Sequence, residues 1–591
     1  MEVLLKRRHT LFFCVFFFLS LNLSACKFKL KTDSPQTLHL VSPEKIKGLD
    51  PIYADELYSG IQSNQAYETL LQYHYLKRPY LLVPNLAESM PDISQDGRTY
   101  LFHLKKGVLF HDDPCFKNTG GKGREMVAED VVYSFKRLAD PKNASSGWWL
   151  FDGKVLGLNE WRDSALKMLL TDYSAPIEGL KALDRYTVQI KLKQRSGLFL
   201  YALAMPFTGV VAHEAVKAYG QEFINHAVGT GPFRLAEYNP NSRIVWIKNP
   251  TYRTEPYPRE GAPGDQEAGL LDDAGKPLPL ADRVVVQVIV EPQPMWLNFM
   301  SGKLDLTSIP KDNFSTAIAP SKELSSELQS KGITLHKSSA LDITRLTFNM
   351  SDPIIGNNKA LRQAMSLAYD SLTFIELFYN GRALPAQGPI PPGLSGYDFA
   401  FKNPYRRFSL SQAKELLAKA GYPNGKGLPA LEYASTADSV GRQMSEYTQK
   451  MMSAIGIRLN VNTYSWPQFL ETIKNKKAQM WEFAWVADYP DAENFLQLFY
   501  SKNVSPGPND SNYSNIEFDR LYEKALLLSD SVERAILYQK MVSIIVEDCP
   551  WIFGAHRTVY GLTQPWLRNY KPNDFDHARY KYYRVDVTLK K

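Results

Sequence analysis

Cysteine is scarce in this chain, with four in 591 residues. None stands in a CxxC or Cys/His spacing, so the common zinc-site frameworks are excluded. No His pair has the HExxH spacing, and no nucleophile elbow or phosphate-cradling glycine loop is present. No cofactor and no metal are therefore expected. The formal charge of +7 is spread along the length without a basic block. With no nucleic-acid-reading motif either, no nucleic-acid partner is expected. The apolar run from Leu11 to Leu23 falls short of the ~20 residues that a helix needs to cross a bilayer. Internal repeats and low-complexity tracts are lacking as well.

What is present describes a globular chain, with 44% hydrophobic and 22% charged residues. Its length exceeds what one hydrophobic core supports, so two or more domains are expected. Lys6, Arg7 and Arg8 precede the apolar run, which is the pattern of a secretory signal segment over residues 1–25. The run ends in Leu23-Ser24-Ala25-Cys26, which resembles the bacterial lipobox. That resemblance implies an acylated Cys26, a tether over 26–35 and a body held to a bacterial membrane outside the cytoplasm. The competing reading is a plain signal peptide with a chance cysteine. Cys115 and Cys549 remain, either as a disulfide or as two buried thiols.

Alternation predicts strands at 37–41, 187–192, 242–248 and 459–463, and Val284 to Val290 reads as a buried strand. TYLFHLKKGVLF reads as two short strands joined at Lys106-Gly107. Helical spacing covers 61–73, 127–138, 361–368 and two helices within 517–546. Ser409 and Gln412 form a capping box ahead of an apolar face of Leu410, Ala413, Leu416, Leu417 and Ala420, with Gly421 as the stop. Residues 255–282 look like a surface insertion. The sum is a mixed α/β chain without the regular rhythm of a barrel or dinucleotide fold.

WEFAWVADYPDAENF, residues 481–495, places Asp488 at the end of an alternating apolar strand. A carboxylate there suits catalysis, metal binding or capture of a cation; the plain alternative is a cap on the turn before Pro490. Other segments narrow the choice. PNLAESMPDISQDGRTYLFHLKKGVLFHD, VAEDVVYSFKRLADP, VGTGPFRLAEYNPNSRIVWIKNPTY, LTFNMSDPIIGNNKALRQAMSLAYD and AKELLAKAGYPNGKG occur in one order along the chain. Together with the Asp488 segment they resemble the peptide-type solute-binding proteins of ABC importers, the oligopeptide- and dipeptide-binding family.

The resemblance implies a periplasmic-binding-protein-like α/β fold with two hinged lobes and an inserted third domain. The first lobe would combine 36–66, 183–341 and 551–591; the insertion would be 67–182 and the second lobe 342–550. It implies a monomer that captures a peptide or similar small solute between closing lobes and delivers it to ABC permease subunits. Asp488 occupies the position that pairs with a ligand's α-ammonium. Ala484, Trp485 and Val486 match the segment whose main chain pairs with an extended peptide. Leu57 and Tyr58, next to Glu56, match the opposing backbone contact, and Thr230 and Gly231 match a hinge-side wall. One position departs from the pattern. Six residues before the aspartate, relatives can carry an arginine for the peptide carboxylate; here stands Glu482. The same fold with a sugar, opine, metal chelate or cell-wall peptide is the alternative cargo. A hydrolase using Asp488 and Glu493 as acid and base is the reading from another class.

Overall fold

The Ser409 hydroxyl accepts from the Gln412 N–H, and the helix it caps runs Leu410–Lys419. Ala413 and Leu417 are buried, while Leu410, Leu416 and Ala420 pack against the same core. Gly421 ends it at φ +93°, a conformation that a side chain would resist. The structure, a computed structural model, describes residues 36–528, 530–575 and 577–590. The signal segment, the tether and Cys26 lie outside them.

Two sheets set the framework. In the first, Thr37–Ser42 pairs parallel with Arg283–Val288, followed by Arg243–Lys248 and Phe233–Asn239. In the second, the order is Leu459–Tyr464, Leu431–Thr436, Met480–Val486, Asp342–Phe348 and Trp551–Phe553. The apolar residues of this sheet pack on the helices Lys359–Ala368 and Leu410–Lys419. Between the two sheets runs Ala555–Thr563. One end of it pairs with Ala383–Pro385, the other with Leu306–Ser308 and Thr334–Ser339. Two connections to it are bonded across: the Ala340 N–H donates to the Arg557 carbonyl at 3.0 Å and the Gly554 N–H to the Thr344 carbonyl at 2.8 Å.

A further small sheet, Asp92–Ile93, Thr99–His103, Thr187–Lys191 and Leu180–Asp184, builds the body carrying the helix Ala128–Ala139. That helix is fastened to the first body by Arg137, which donates to both Asp50 oxygens at 3.1 and 2.7 Å. Both partners are buried. Burial alone would lower the guanidinium's pKa; Asp50 more than offsets it and holds the Arg137 guanidinium charged.

Two expectations fail. The helical spacing at 61–73 becomes a helix only over Leu57–Ser63, then buried irregular chain and the strand Leu71–Tyr73. The cause is tertiary: the 229–231 segment is laid against Gln65 and Ala66, and the Gly231 N–H takes the Ala66 carbonyl at 2.8 Å. A Cβ on Gly231 would stand 2.6 Å from the Gln65 carbonyl oxygen. Gly231→Ala is therefore expected to cost about 1–3 kcal/mol of stability, read as a lowered denaturation midpoint. In TYLFHLKKGVLF, Thr99–His103 pairs with Thr187–Lys191 rather than with its own continuation, which forms only a bridge from Leu109 to Glu125. Cys115 and Cys549 are both free and buried, which resolves the alternatives left by the sequence.

Candidate functional site

The Met480–Val486 strand is held on one side by Asp342–Phe348 along its full length. On its other side, Leu431–Thr436 pairs only with Met480 and Trp481. From Glu482 to Val486 the strand thus has a strand partner on one side and a free edge on the other. Ala484, Trp485 and Val486 lie on that stretch.

Asp488 follows the strand directly. Its carboxylate accepts from Asn494 Nδ2 at 3.0 Å, and Asn494 Oδ1 in turn accepts from the Asp488 main-chain N–H and from Trp485 Nε1, each at 2.9 Å. Asn494 therefore fixes both the turn and the carboxylate. No Lys, Arg or His forms an ion pair with Asp488 among the described residues. Burial pushes its pKa up to about 7, against the Asn494 hydrogen bond, and nearby Glu493 adds to the rise. Glu493 is spoken for: Tyr489 donates to it at 2.5 Å and Tyr522 to its other oxygen. Both of its oxygens are thus engaged, which removes it from an acid–base pair with Asp488.

Across from Asp488 stand Tyr73 and Tyr201. Tyr73 is close enough for the Asp488 charge to raise its phenol, behind the larger effect of burial. The Tyr73 hydroxyl is buried without a hydrogen-bond partner. Tyr201 stacks on Tyr489 with ring centroids 5.4 Å apart and on Tyr73 at 6.5 Å. Asp488 thus sits against an aromatic wall contributed by both bodies. Neither Tyr73 nor Asn494 was singled out in the sequence; Asn494 at least lies in the same fifteen-residue stretch.

The remaining candidates fall in different places. Leu57 and Tyr58 open the helix Leu57–Ser63, whose N-cap is Glu56. The Tyr58 N–H already donates to Glu56 at 2.7 Å, so what Tyr58 presents is its ring, edge-on to Trp466 at 6.4 Å. Trp466 stacks on Phe483 of the Met480–Val486 strand. The Asp55 carboxylate binds Lys47 at 2.8 Å and reaches Lys474 of the opposite body. A cavity of about 280 Å³ opens beside these three. Thr230 is 1% exposed and donates to Glu68 at 3.0 Å. The Gly231 carbonyl accepts from His111 and Asn249, each at 3.0 Å. Both residues lie inside the first body, where they brace the segment leading to Tyr73.

Glu482 is enclosed. Its Oε2 is buried without a hydrogen-bond partner. Burial pushes its pKa up to about 8, partly countered by Arg557. Its neighbours are Tyr369, Tyr379 and Tyr433, whose phenols are raised by burial and then by the Glu482 charge.

Residues 82–507 match the family described as bacterial extracellular solute-binding proteins, family 5 (middle). Among curated proteins, the chain is 28% identical to heme-binding protein A of Haemophilus influenzae, over 96% of this chain and 95% of that one. It is 26% identical to di/tripeptide-binding protein 2 of Pseudomonas aeruginosa, over 93% and 95%. Among solved structures it resembles the ABC-transporter-associated periplasmic binding protein DppA from Helicobacter pylori in complex with peptide STSA, with TM-score 0.76 and 26% identity. That match covers 93% of this chain and 98% of the other. Haemophilus influenzae OppA complexed with RPPGFSPFR gives TM-score 0.77 at 19% identity over 94% and 99%, a likeness of fold.

Proposed function

Since the chain belongs to family 5 of the bacterial extracellular solute-binding proteins, we propose that it captures short peptides between its two lobes for an ABC importer. One observation carries this: a half-buried carboxylate, Asp488, with no cationic partner among the described residues, sits at the end of a strand whose edge is free. A free edge reads peptide backbone by adding a strand, and a desolvated carboxylate selects an ammonium. Tyr73 would offer its hydroxyl to the same ammonium. Related proteins named for di- and tripeptides, and structures holding peptides, support the cargo class.

The lobes follow the sequence reading, 36–66 with 183–341 and the C-terminal stretch against 342–550 with 67–182 inserted, except that Thr187–Lys191 pairs with Thr99–His103 and so puts the end of the insertion after Lys191. The second crossing is best placed at Gly554, since Trp551–Phe553 pairs with Asp342–Phe348. We read the protein as a monomer acting without a catalytic step, its permease partner recognising the closed, loaded form. An acyl group on Cys26 would keep it at the membrane. The relative named for heme keeps a second cargo in view, and a hemin titration followed by absorbance separates the two.

The pH dependence of binding tests the reading. The ionised form of Asp488 binds the ammonium, so below about pH 7 binding must first expel a proton from the free protein. Above about pH 8 the peptide amine itself loses its proton. Calorimetry is expected to show peptide affinity highest between these limits, falling up to about tenfold per pH unit on the acid side. A flat profile from pH 5 to 7 would remove Asp488 from the ligand.

A further inference from the structure

Asp55 gathers donors from three segments of the chain. Lys47 Nζ donates to both of its oxygens, at 2.8 and 3.0 Å, and the Ser146 hydroxyl donates to Oδ2 at 2.8 Å. Lys474 reaches the same Oδ2. These contacts fill the roughly four acceptor sites of a carboxylate, so Asp55 offers nothing to a solute. Two amino groups share it. Burial, and then the Lys47 charge, hold the Lys474 pKa well below the ordinary lysine value. Lys47 is held through both oxygens from only eight positions away. Lys474 is therefore the partner that lets go.

Each side of the contact is stiffly mounted. Asp55 ends a plate made of two segments bonded pairwise. Arg137 donates to Asp50, the Ser145 hydroxyl to the Ile52 carbonyl at 2.6 Å, the Tyr53 hydroxyl to the Asn143 carbonyl at 2.8 Å, and Ser146 to Asp55. On the other side, Lys474 ends the helix Trp466–Lys474, whose Phe469, Leu470 and Ile473 pack with Trp481 of the Met480–Val486 strand. Trp466, at the opposite end of that helix, stacks on Phe483 of the same strand and meets Tyr58 edge-on. Nine residues of helix, about 13 Å, thus touch the 55–58 segment at both ends. The cavity of about 280 Å³ beside Asp55 and Lys474, walled by Tyr53, Ile224 and Pro506, gives the Lys474 side chain room to swing clear.

Resting on the lobe assignment above, which puts Asp55, Ser146 and Lys474 in three different bodies, we infer that the Asp55–Lys474 contact is a latch that sets how long the lobes stay shut. The latch holds no ligand. It acts through the Trp466–Lys474 helix, which carries the strand with the free edge, so releasing Lys474 frees that strand to move away from the 55–58 segment. Ser146 draws the inserted domain into the same grip and gives the insertion a part in closure. A hydrogen-bonded charge pair this enclosed acts on the rate of leaving more than on the rate of encounter. Lys474 is thus a positioning residue.

Stopped-flow kinetics with trialanine as the probe, together with small-angle scattering of the mature protein, test this. From Lys474→Met, trialanine is expected to leave about five- to thirtyfold faster, with an association rate within about twofold of wild type and an unchanged melting temperature. Lys474→Arg, which keeps a cation there, is expected to release it within about threefold of the wild-type rate. Asp55→Asn/Lys474→Met should release it no faster than Asp55→Asn alone, since the two side chains act as one unit. Without peptide, Lys474→Met should scatter as a more open particle than wild type. A wild-type dissociation rate in Lys474→Met, no rescue by arginine, or additive losses in the double variant would overturn the latch. Faster release accompanied by an equally lowered melting temperature would assign Lys474 to the fold instead. If trialanine does not bind the wild type, the peptide reading fails, and the scattering of unliganded wild type and Lys474→Met still decides the latch. If it binds and leaves the wild-type scattering unchanged, the hinged-lobe reading falls and the latch with it.

Discussion

Replacing Asp488 by Asn is expected to weaken peptide binding by about 2–5 kcal/mol, roughly thirty-fold to several thousand-fold, without weakening the empty protein. The Asn side chain keeps its shape and the contact with Asn494 but loses the charge that a desolvated ammonium requires. Stability moves the other way. A carboxyl whose folded pKa is raised to about 7 makes folding less favourable as pH climbs from about 4 to about 7, because the folded state must then ionise it under burial. The Asn variant escapes that cost and should melt no lower than wild type at pH 8. Calorimetry paired with thermal melting checks both halves. Undiminished affinity would show that Asp488 only shapes its turn. The combination of lost affinity and retained stability distinguishes a group kept for its ligand from one kept for the fold.

Arg137→Ala is expected to destabilise the protein by about 3–5 kcal/mol, the largest stability effect anticipated here. It leaves Asp50, 4% exposed, without its countercharge, and removes the guanidinium from over the Phe223 ring, 5.2 Å away. Asp50 also holds the Ile52 N–H at 3.3 Å, so the loss reaches the turn before the Leu57–Ser63 helix. Replacing both partners, as in Asp50→Asn/Arg137→Met, should cost much less, since no buried charge is then stranded. Chemical denaturation of the single and double variants measures this. Equal losses in the two would show that packing, not the stranded charge, sets the effect.

Much of this architecture was written in local pattern. The Leu410–Lys419 helix could be read from its Ser409 cap, apolar face and terminal glycine, because each of those signals is local; the Gln412 half of the expected capping box is not made, since Gln412 Oε1 accepts from Arg407 instead. The strands at Thr37–Ser42 and Arg243–Lys248 followed from alternation. The failure at 61–73 has the opposite cause: a segment more than 150 positions away presses on Gln65 and Ala66 and overrides the helical spacing. Within the site, Asp488 stood out because it breaks an apolar strand. Lys474 gave no such signal, since its partner Asp55 lies in a distant segment. Nor could Glu482 be judged by its formal charge; the burial that pushes its pKa up to about 8 depends on the fold around it. Cys115 and Cys549 likewise needed coordinates to be recognised as separate thiols.

The unpartnered stretch from Glu482 to Val486 has a consequence beyond recognition. An exposed row of main-chain donors and acceptors flanked by Phe483 and Trp485 is a nucleus for aggregation between copies of a chain. Here Tyr58 and Trp466 meet edge to face, and Trp466 stacks on Phe483 of that strand, so aromatic rings stand beside the edge. The property that makes the edge useful and the property that would make it dangerous are the same, so keeping the lobes together over it serves both recognition and solubility. Opening the lobes too widely would remove that cover. Variants that loosen the contact of Asp55 with Lys474 should accordingly be more prone to self-association, seen as growth in light scattering at high protein concentration.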